Sequence, residues 1–329
     1  MNKKKRMKNY ILLLVVTIAT TFFMLNNLFF EKKKYPFQEC EFSVYQFEQD
    51  FFNIKKDSFS FYFYHTLNKF PEFFTDTSVI FNEKVFLDDT LRSVLDSVNS
   101  IFNREVPMSS LLEQGFCNYQ KYFPDINLSM YTFIDKSFDY RTPVVFANGK
   151  LFISLHLFLG SDHSFYSFLP DYIRYSHDTI FLPSSCFMTL AGRHIPYTDL
   201  DNFLEAILYY AKPYFFAQKM LPGIADYKLL KCPEDKIKWC YENESAIWRY
   251  MIEQDYLFST SKDLIDRFIN LAPYSQFGLP NDMNSPGSIG AWLGLQIWNT
   301  YVAKTNVSLI EVLNETDYLK VLNNSGYKP

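Results

Sequence analysis

The sequence lacks the motifs on which several large functional classes depend. It has five cysteines without a Cys-x-x-Cys pair, five histidines without a His-Glu-x-x-His motif, and only ten glycines. It contains no phosphate-binding loop, no dinucleotide fingerprint and no Gly-x-Ser-x-Gly elbow. It also has no repeat and no low-complexity run. These absences argue against nucleotide-binding enzymes, hydrolases with a nucleophile elbow, and repeat proteins.

Most of the chain also has no excess of basic over acidic residues. The first 34 residues hold eight Lys/Arg and one acid, whereas the whole chain has a net charge of −4. The remainder therefore carries about −11. Because nucleic-acid binding needs a basic surface, an acidic body argues against a nucleic-acid partner.

A stretch near the N-terminus, from Tyr10 to Phe30, runs for 21 residues without a charge. A helix of this length spans a hydrocarbon core about 30 Å thick. Five positive charges precede the stretch, so its N-terminal side should stay in the cytoplasm and the body should be exported. The stretch ends without a small-x-small cleavage site. We predict a basic cytoplasmic segment at 1–9, an uncleaved signal anchor in the cell membrane at 10–30, a linker at 31–36 and one exported domain at 37–329.

The five cysteines are an odd number for an exported body, so at least one thiol is unpaired or bridges to a partner. They are Cys40, Cys117, Cys186, Cys232 and Cys240. We interpret them mostly as buried apolar residues.

Hydrophobic periodicity predicts a mostly helical α+β fold with a small central sheet. Apolar residues recur at helical spacing over 84–102, and a second helix is expected over 109–122. Residues 126–133 alternate as a strand, and Asn148-Gly149 between apolar runs predicts a hairpin. Further helices are expected over 198–220, from Pro233 onward, and over 262–271, 286–301 and 308–313.

The stretch from Asn284 to Trp298 is the most informative part of the chain. Ser285 suits a helix N-cap and Pro286 suits the first helical position. Gly287, Gly290 and Gly294 then share one helical face, although each interior glycine costs roughly 1 kcal/mol relative to alanine. Close approach of a neighbouring element or a ligand is the expected compensation. We predict a contact helix for packing or binding, formed by Ser285, Pro286, Gly287, Gly290, Trp292, Gly294 and Gln296.

This stretch resembles the gliding-motility lipoprotein GldB family of Bacteroidota. Residues 151–160, Tyr166 to Tyr172, Leu204 to Pro222, Glu242 to Glu244 and Leu257 to Thr260 resemble that family in the same order. The resemblance implies a part in gliding motility and an associated secretion machinery, with protein partners there.

Two departures from the family pattern affect these expectations. The first cysteine, Cys40, lies ten residues beyond the apolar span and outside a lipobox. An inner-membrane anchor is therefore favoured over a lipidated outer-membrane form. The family often has a basic residue after Ser-Pro-Gly, where this chain has Ser288, so a charged contact at the helix start would be lost.

The family also looks distantly similar to zincin metallopeptidases, which implies a zincin-like single domain. In those enzymes, two histidines four residues apart on a helix bind zinc. The corresponding helix here, from Asp199 to Phe216, contains no histidine. Of the other histidines, His156 fits a core residue and His163 a solvated loop. We therefore predict no catalytic residues, no metal and no cofactor.

Other chemical motifs have plain structural explanations. Ser184 follows Pro183 and fits a helix start better than a nucleophile. Glu242 and Glu244 point to different helix faces, so they fit solvated charges better than a carboxylate pair.

The sequence therefore favours a non-enzymatic, membrane-anchored protein with its body in the periplasm, acting by binding or scaffolding. Two alternatives stay open at this point. One is a divergent zinc metallopeptidase with non-standard ligands, and the other is a structural envelope protein unrelated to motility.

Overall fold

A computed structural model describes residue 40 and residues 43–54, 59–74, 83–102, 110–126 and 128–329. The segments predicted at 1–9, 10–30 and 31–36 lie outside the described residues. Residues 41–329 form one compact unit. The strands are β1 (Ser43–Gln46), β2 (Ser129–Phe133), β3 (Val144–Ala147) and β4 (Lys150–Ser154). The helices up to residue 191 are α1 (Phe47–Phe52), α2 (Phe59–Lys69), α3 (Glu83–Phe86), α4 (Asp89–Phe102), α5 (Ser110–Tyr122), α6 (Asp171–Tyr175) and α7 (Leu182–Ala191).

The C-terminal part is helical throughout. Its helices are α8 (Phe203–Met220), α9 (Asp226–Leu230), α10 (Glu234–Glu253), α11 (Asp263–Phe268), α12 (Ile289–Thr305), α13 (Leu309–Asn314) and α14 (Tyr318–Ser325). Among the described residues, no helix combines the length and the apolar character that crossing a bilayer requires.

The sheet has the strand order β1-β2-β4-β3. β1 and β4 both run parallel to β2, whereas β3 pairs antiparallel with β4. The hairpin between β3 and β4 turns at Asn148 and Gly149, which have φ values of 50° and 78°. Two consecutive positive φ angles match the twist of a two-residue hairpin, which confirms the prediction from Asn-Gly.

The centre of the helical part is the packing of α12 on α8, with α14 on another side of α12. Trp292 and Trp298 on α12 are fully buried. The Trp298 indole N–H donates to the Leu208 carbonyl of α8 at 2.9 Å, so this large ring is buried with its polar group satisfied.

Several predicted helix boundaries are wrong, and a competing cap explains each. The helix expected over 84–102 is interrupted at Leu87–Asp88, because the Asp88 carboxylate accepts a hydrogen bond from the Leu91 N–H and starts α4 anew. The helix expected to begin at Thr198 begins at Phe203. There the Asn202 side chain accepts from the Glu205 N–H at 3.1 Å and acts as the N-cap.

The cysteines divide into two groups. Cys186, Cys232 and Cys240 are free and buried, as predicted. Cys40 and Cys117 are disulfide-bonded, so the interpretation as buried apolar thiols is wrong for these two.

Candidate functional site

The predicted contact helix begins later than the sequence indicates. Ser288, not Ser285, is the residue before the first helical position, and α12 starts at Ile289. The Ser285 hydroxyl is used elsewhere: it donates to the Asp282 carbonyl at 2.7 Å and accepts from the Ser275 N–H at 3.0 Å. Ser285, Pro286 and Gly287 therefore form the segment that leads into α12.

Ser275, ten residues before Ser285, supports this leading segment. Its buried hydroxyl lies 2.7 Å from the Pro286 carbonyl oxygen and 2.8 Å from the Gly287 carbonyl oxygen, so its one proton is shared between these two acceptors. The same oxygen accepts from the Ile289 N–H at 3.4 Å. One side chain thus satisfies backbone groups that would otherwise be buried without a partner at the helix start.

The three glycines make close backbone contacts with two neighbouring elements. A Cβ on Gly294 would lie 2.3 Å from the Ile207 carbonyl oxygen of α8. A Cβ on Gly290 would lie 2.9 Å from the Phe268 carbonyl oxygen, and one on Gly287 would lie 2.2 Å from the Ala272 carbonyl oxygen. The lost helix propensity is therefore compensated by close packing of the backbones.

The remaining two residues of the motif also contact protein groups. Trp292 is buried edge-on against the Tyr241 ring of α10, with ring centroids 5.4 Å apart. Gln296 donates to the Asp226 carboxylate of α9 at 3.3 Å, and that carboxylate accepts from the Tyr241 hydroxyl at 2.6 Å. These contacts join α12 to α9 and α10.

A cavity of about 300 Å³ opens at the start of α12. We call it the α12 cavity. It is lined by Asp171, Tyr172, Tyr175, Leu230–Pro233, Lys236, Leu271–Pro273 and Pro286–Ser288. Its size is at the lower end of the range for small-ligand sites.

Of the two lysines that line the α12 cavity, Lys236 donates all of its hydrogen bonds to backbone carbonyls around the cavity. The Lys236 ammonium donates to the carbonyls of Pro273, Met283 and Ser285 at 2.6, 3.1 and 2.8 Å. An ammonium group has three donors, so no further donor is left for a ligand.

The second lysine, Lys231, differs in both backbone and side chain. It has a left-handed backbone conformation, with φ 52° and ψ 46°, at the end of α9. Within the described part of the chain its ammonium has neither a hydrogen-bond acceptor nor an ion-pair partner. Burial lowers the pKa of Lys231 to about 8, with the Cys186 thiol opposing the shift. A cation that the sequence places far from α12 therefore lines the same cavity as Ser288.

The other polar groups around the cavity are neutral or turned to solvent. Burial raises the pKa of the Cys232 thiol to about 12 and raises that of Tyr175. The Asp171 side chain is 93% exposed and pairs with Arg174 at 2.8 Å. The cavity is therefore lined by two ammonium groups, those of Lys231 and Lys236, and by an acid, Asp171, that is turned to solvent.

The histidines do not form a metal site in the described ranges, where no group of three His, Cys, Asp or Glu side chains is placed to hold an ion. His156 is fully buried, as predicted, and its Nε2 lies 3.6 Å from an Asp135 carboxylate oxygen. Burial lowers the pKa of His156 to about 4, so it is neutral at pH 7. His163 is half-buried, and its Nδ1 accepts from the Phe165 N–H.

The other sequence candidates have structural partners. Ser184 is buried, and its hydroxyl lies 3.0 and 2.7 Å from the carbonyl oxygens of Phe181 and Lys228, which are the acceptors available to its one proton. Glu242 is exposed beside Lys238, whereas Glu244 accepts from the Tyr327 hydroxyl at 2.5 Å. The interpretation as a solvated charge holds for Glu242 and is wrong for Glu244.

Sequence reasoning missed Lys231 and Lys236 as parts of this site. About fifty residues separate them from α12, and no spacing rule joins a lysine after a short helix to a Ser-Pro-Gly segment. The left-handed backbone conformation of Lys231 could not be predicted from the sequence, because glycine or asparagine is the usual residue at such positions.

The family model described as gliding motility protein GldB matches residues 31–329. No curated protein and no solved structure matches the chain. The zincin-like architecture accordingly stays a prediction.

Proposed function

Since the chain belongs to the GldB family of gliding motility proteins, we propose that it is a membrane-associated envelope component of the gliding machinery that acts by binding. The observation that carries this proposal is the family match, which extends over residues 31–329. A match of this extent includes the whole predicted exported domain and not only its glycine-containing motif.

Two features support a position outside the cytoplasm. The uncharged stretch from Tyr10 to Phe30 follows a basic segment, as in a signal anchor whose body is exported. Cys40 and Cys117 are disulfide-bonded, and disulfides persist in oxidising compartments such as the periplasm. The proposed arrangement is an inner-membrane anchor with the domain in the periplasm.

The use of the motif residues supports binding over catalysis. Gly287, Gly290 and Gly294 admit neighbouring backbones, and Ser285 holds the segment before α12. None of these groups is placed as a nucleophile or a general base. A closely packed scaffold with a cavity that two lysines line suits recognition of a partner or ligand.

Deleting the gene in its own bacterium tests the motility part of the proposal. We expect colony spreading and single-cell gliding to be lost and to return when the full-length gene is supplied in trans. Normal spreading of the deletion strain would contradict the motility role and favour a structural envelope protein.

Metal analysis of the purified full-length protein tests the catalytic alternative. We expect less than about 0.1 zinc per chain after dialysis without chelator, because structural and catalytic zinc sites are occupied stoichiometrically. One zinc per chain with cleavage of a protein substrate would replace the binding role by a peptidase.

A further inference from the structure

We propose, on the basis of the anchor proposed at residues 10–30, that the outer face of α2 lies on the lipid surface of the same membrane. This outer face is formed by Phe61, Tyr62 and Tyr64. The exported domain then has two attachments to one bilayer, a spanning segment and a surface helix.

Helix α2 packs on the domain through its inner face. Phe59 and Phe63, four residues apart, share that face. The Phe59 ring centroid lies 4.8 Å from that of Phe86, and the Phe63 ring centroid lies 5.5 Å from that of Phe74. These ring contacts orient the helix, and they turn its opposite face away from the domain.

The opposite face of α2 exposes a cluster of aromatic side chains. Phe61 is 75% exposed, Tyr64 is 67% exposed and Tyr62, between them in sequence, is 44% exposed. Phe61 and Tyr64 are three residues apart, so they are neighbours on the helix surface. Single exposed apolar residues are common on soluble proteins, whereas a contiguous exposed patch marks contact with a protein or a membrane. We therefore interpret this face as an interaction surface.

The composition of α2 favours lipid as the partner. Residues 59–69 contain no Asp or Glu, whereas the chain beyond residue 34 carries about −11. An acid-free helix avoids repulsion from anionic lipid headgroups. Tyrosine suits this position because its ring can lie against apolar surface while its hydroxyl stays in contact with water and headgroups. An exposed Phe between two tyrosines and without acids is typical of a helix that lies in the membrane interface.

The chain before the domain keeps α2 near the bilayer. Twelve residues, 31–42, separate Phe30, the end of the uncharged stretch, from Ser43 at the start of β1. A segment of this length spans at most about 45 Å when fully extended. Helix α2 is close to β1, because the Phe70 ring that follows α2 lies 6.4 Å from the Tyr45 ring of β1. The tether therefore gives α2 a high effective concentration at the membrane surface.

Quenching of an introduced tryptophan in the full-length protein tests the contact. The protein is reconstituted in vesicles of phosphatidylethanolamine and phosphatidylglycerol, with or without bromine on the acyl chains, and the emission of the parent is subtracted. We expect bromine to quench Phe61→Trp by at least about twofold, because an interfacial helix buries its apolar face about 5–10 Å into the boundary of headgroups and acyl chains. Phe258→Trp is the control, since Phe258 is 62% exposed in the turn between α10 and α11, and its emission should not change.

A charge introduced on the same face makes the test specific to α2. Tyr64→Glu in the Phe61→Trp background should remove most of the quenching, because burying a carboxylate against lipid is unfavourable. Leu319→Glu in the same background is the matched control, since Leu319 is 52% exposed on another helix, α14. Both substituted side chains are exposed, so neither change alters the core.

Flotation of the vesicles distinguishes a failure of the contact from a failure of the anchor. If the chain floats with the vesicles but Phe61→Trp is quenched no more than Phe258→Trp, the contact is overturned and the anchor stands. A chain that stays at the bottom of the gradient contradicts the anchor and, with it, the contact. Protection of the Phe61→Trp emission from acrylamide without quenching by bromine would identify a second copy or another protein on α2, and would also overturn the proposal.

Discussion

The two ends of α12 each lie near a lysine, but Lys212 at one end is fully buried and Lys231 at the other is half-buried, and their surroundings differ. Near the C-terminal half, the Lys212 ammonium donates to the carbonyls of Leu313 and Glu315 at 3.0 and 2.6 Å. It also lies 5.9 Å from the centroid of the Trp298 ring and 5.2 Å from that of Tyr318. At the N-terminal end, Lys231 lines a cavity and has no such acceptors.

Desolvation lowers the pKa of each lysine to about 8, but Lys212 is fully buried whereas Lys231 is half-buried. The difference lies in the acceptors. Carbonyl oxygens at the end of α13 and aromatic rings favour the charged form of Lys212, so that residue stabilises the fold. Lys231 is half-buried and has no such acceptor in the described part of the chain. One end of α12 is therefore closed and held by a bonded lysine, whereas the other end is open to a cavity that a half-buried lysine lines.

The largest expected effect is at the closed end, where Gly294→Ala should break the contact between α12 and α8. The added methyl would lie 2.3 Å from the Ile207 carbonyl oxygen and 2.7 Å from the Ala211 Cβ, so the helices must separate. We expect a loss of about 3 kcal/mol in the free energy of unfolding, measured by denaturant titration. Gly192→Ala is the control, because its nearest heavy atom would be 3.4 Å away. Equal stability of the two variants would contradict close packing at Gly294.

The second largest effect is expected from replacing Lys212, the lysine with two carbonyl acceptors. Lys212→Met keeps the aliphatic volume but leaves the Leu313 and Glu315 carbonyls without their donor. We expect a loss of about 2 kcal/mol by the same titration. Lys219→Met on the same helix is the matched control, since Lys219 lies over the Phe215 ring and donates to no carbonyl in the described part of the chain. A Lys212→Met variant as stable as the parent would show that the acceptors do not stabilise the fold.

A smaller effect is expected at the open end, where Ser275→Ala removes the hydroxyl that satisfies the segment before α12. The Pro286 and Gly287 carbonyls lose their donor, and we expect a loss of about 1.5 kcal/mol in thermal or denaturant unfolding. Ser97→Ala provides the comparison, because the Ser97 hydroxyl donates to a carbonyl on the surface of α4. Should both variants unfold like the parent, the segment would not depend on Ser275.

The smallest expected effect is a gain, not a loss, in the free energy of unfolding. Lys231→Met removes a half-buried charge that has no acceptor in the described part of the chain, and we expect a gain of about 1 kcal/mol at pH 7. The folded pKa near 8 is below that of the unfolded lysine, so the unfolded chain binds more protons between the two values. The stability of the parent should therefore rise as pH increases from 8 to 10.5, and the advantage of Lys231→Met should shrink over that window. A destabilised Lys231→Met at every pH would mean that the ammonium has a stabilising partner.

Local signals in the sequence predicted much of this fold. Asn148-Gly149 specifies its own turn, and Ser308 with Glu311 forms the capping box that starts α13. Asn202 and Glu205 carry a similar signal, although the sequence interpretation placed that helix start at Thr198. Strand β1 was missed because it has only four residues and pairs in parallel with β2, more than eighty positions away.

The site was harder to predict because it depends on distant residues. Ser285-Pro286 is a good local helix start, yet Ser275 engages the Ser285 hydroxyl and the helix begins at Ile289. The three glycines correctly indicated close backbone contact. Lys231, Tyr172 and Pro286 line the cavity together only because tertiary packing brings these separate parts of the chain into contact.

Amine reactivity across pH tests the difference between the two lysines most directly. The folded full-length protein is treated briefly with acetic anhydride from pH 6.5 to 10, and each lysine is quantified by peptide mass spectrometry, with exposed Lys238 as reference. We expect Lys231 to be most reactive relative to Lys238 near neutral pH, and Lys212 to stay unmodified until the protein unfolds. Equal protection of Lys231 and Lys212, or a Lys231 profile that follows Lys238 at every pH, would contradict the account of an open and a closed end of α12.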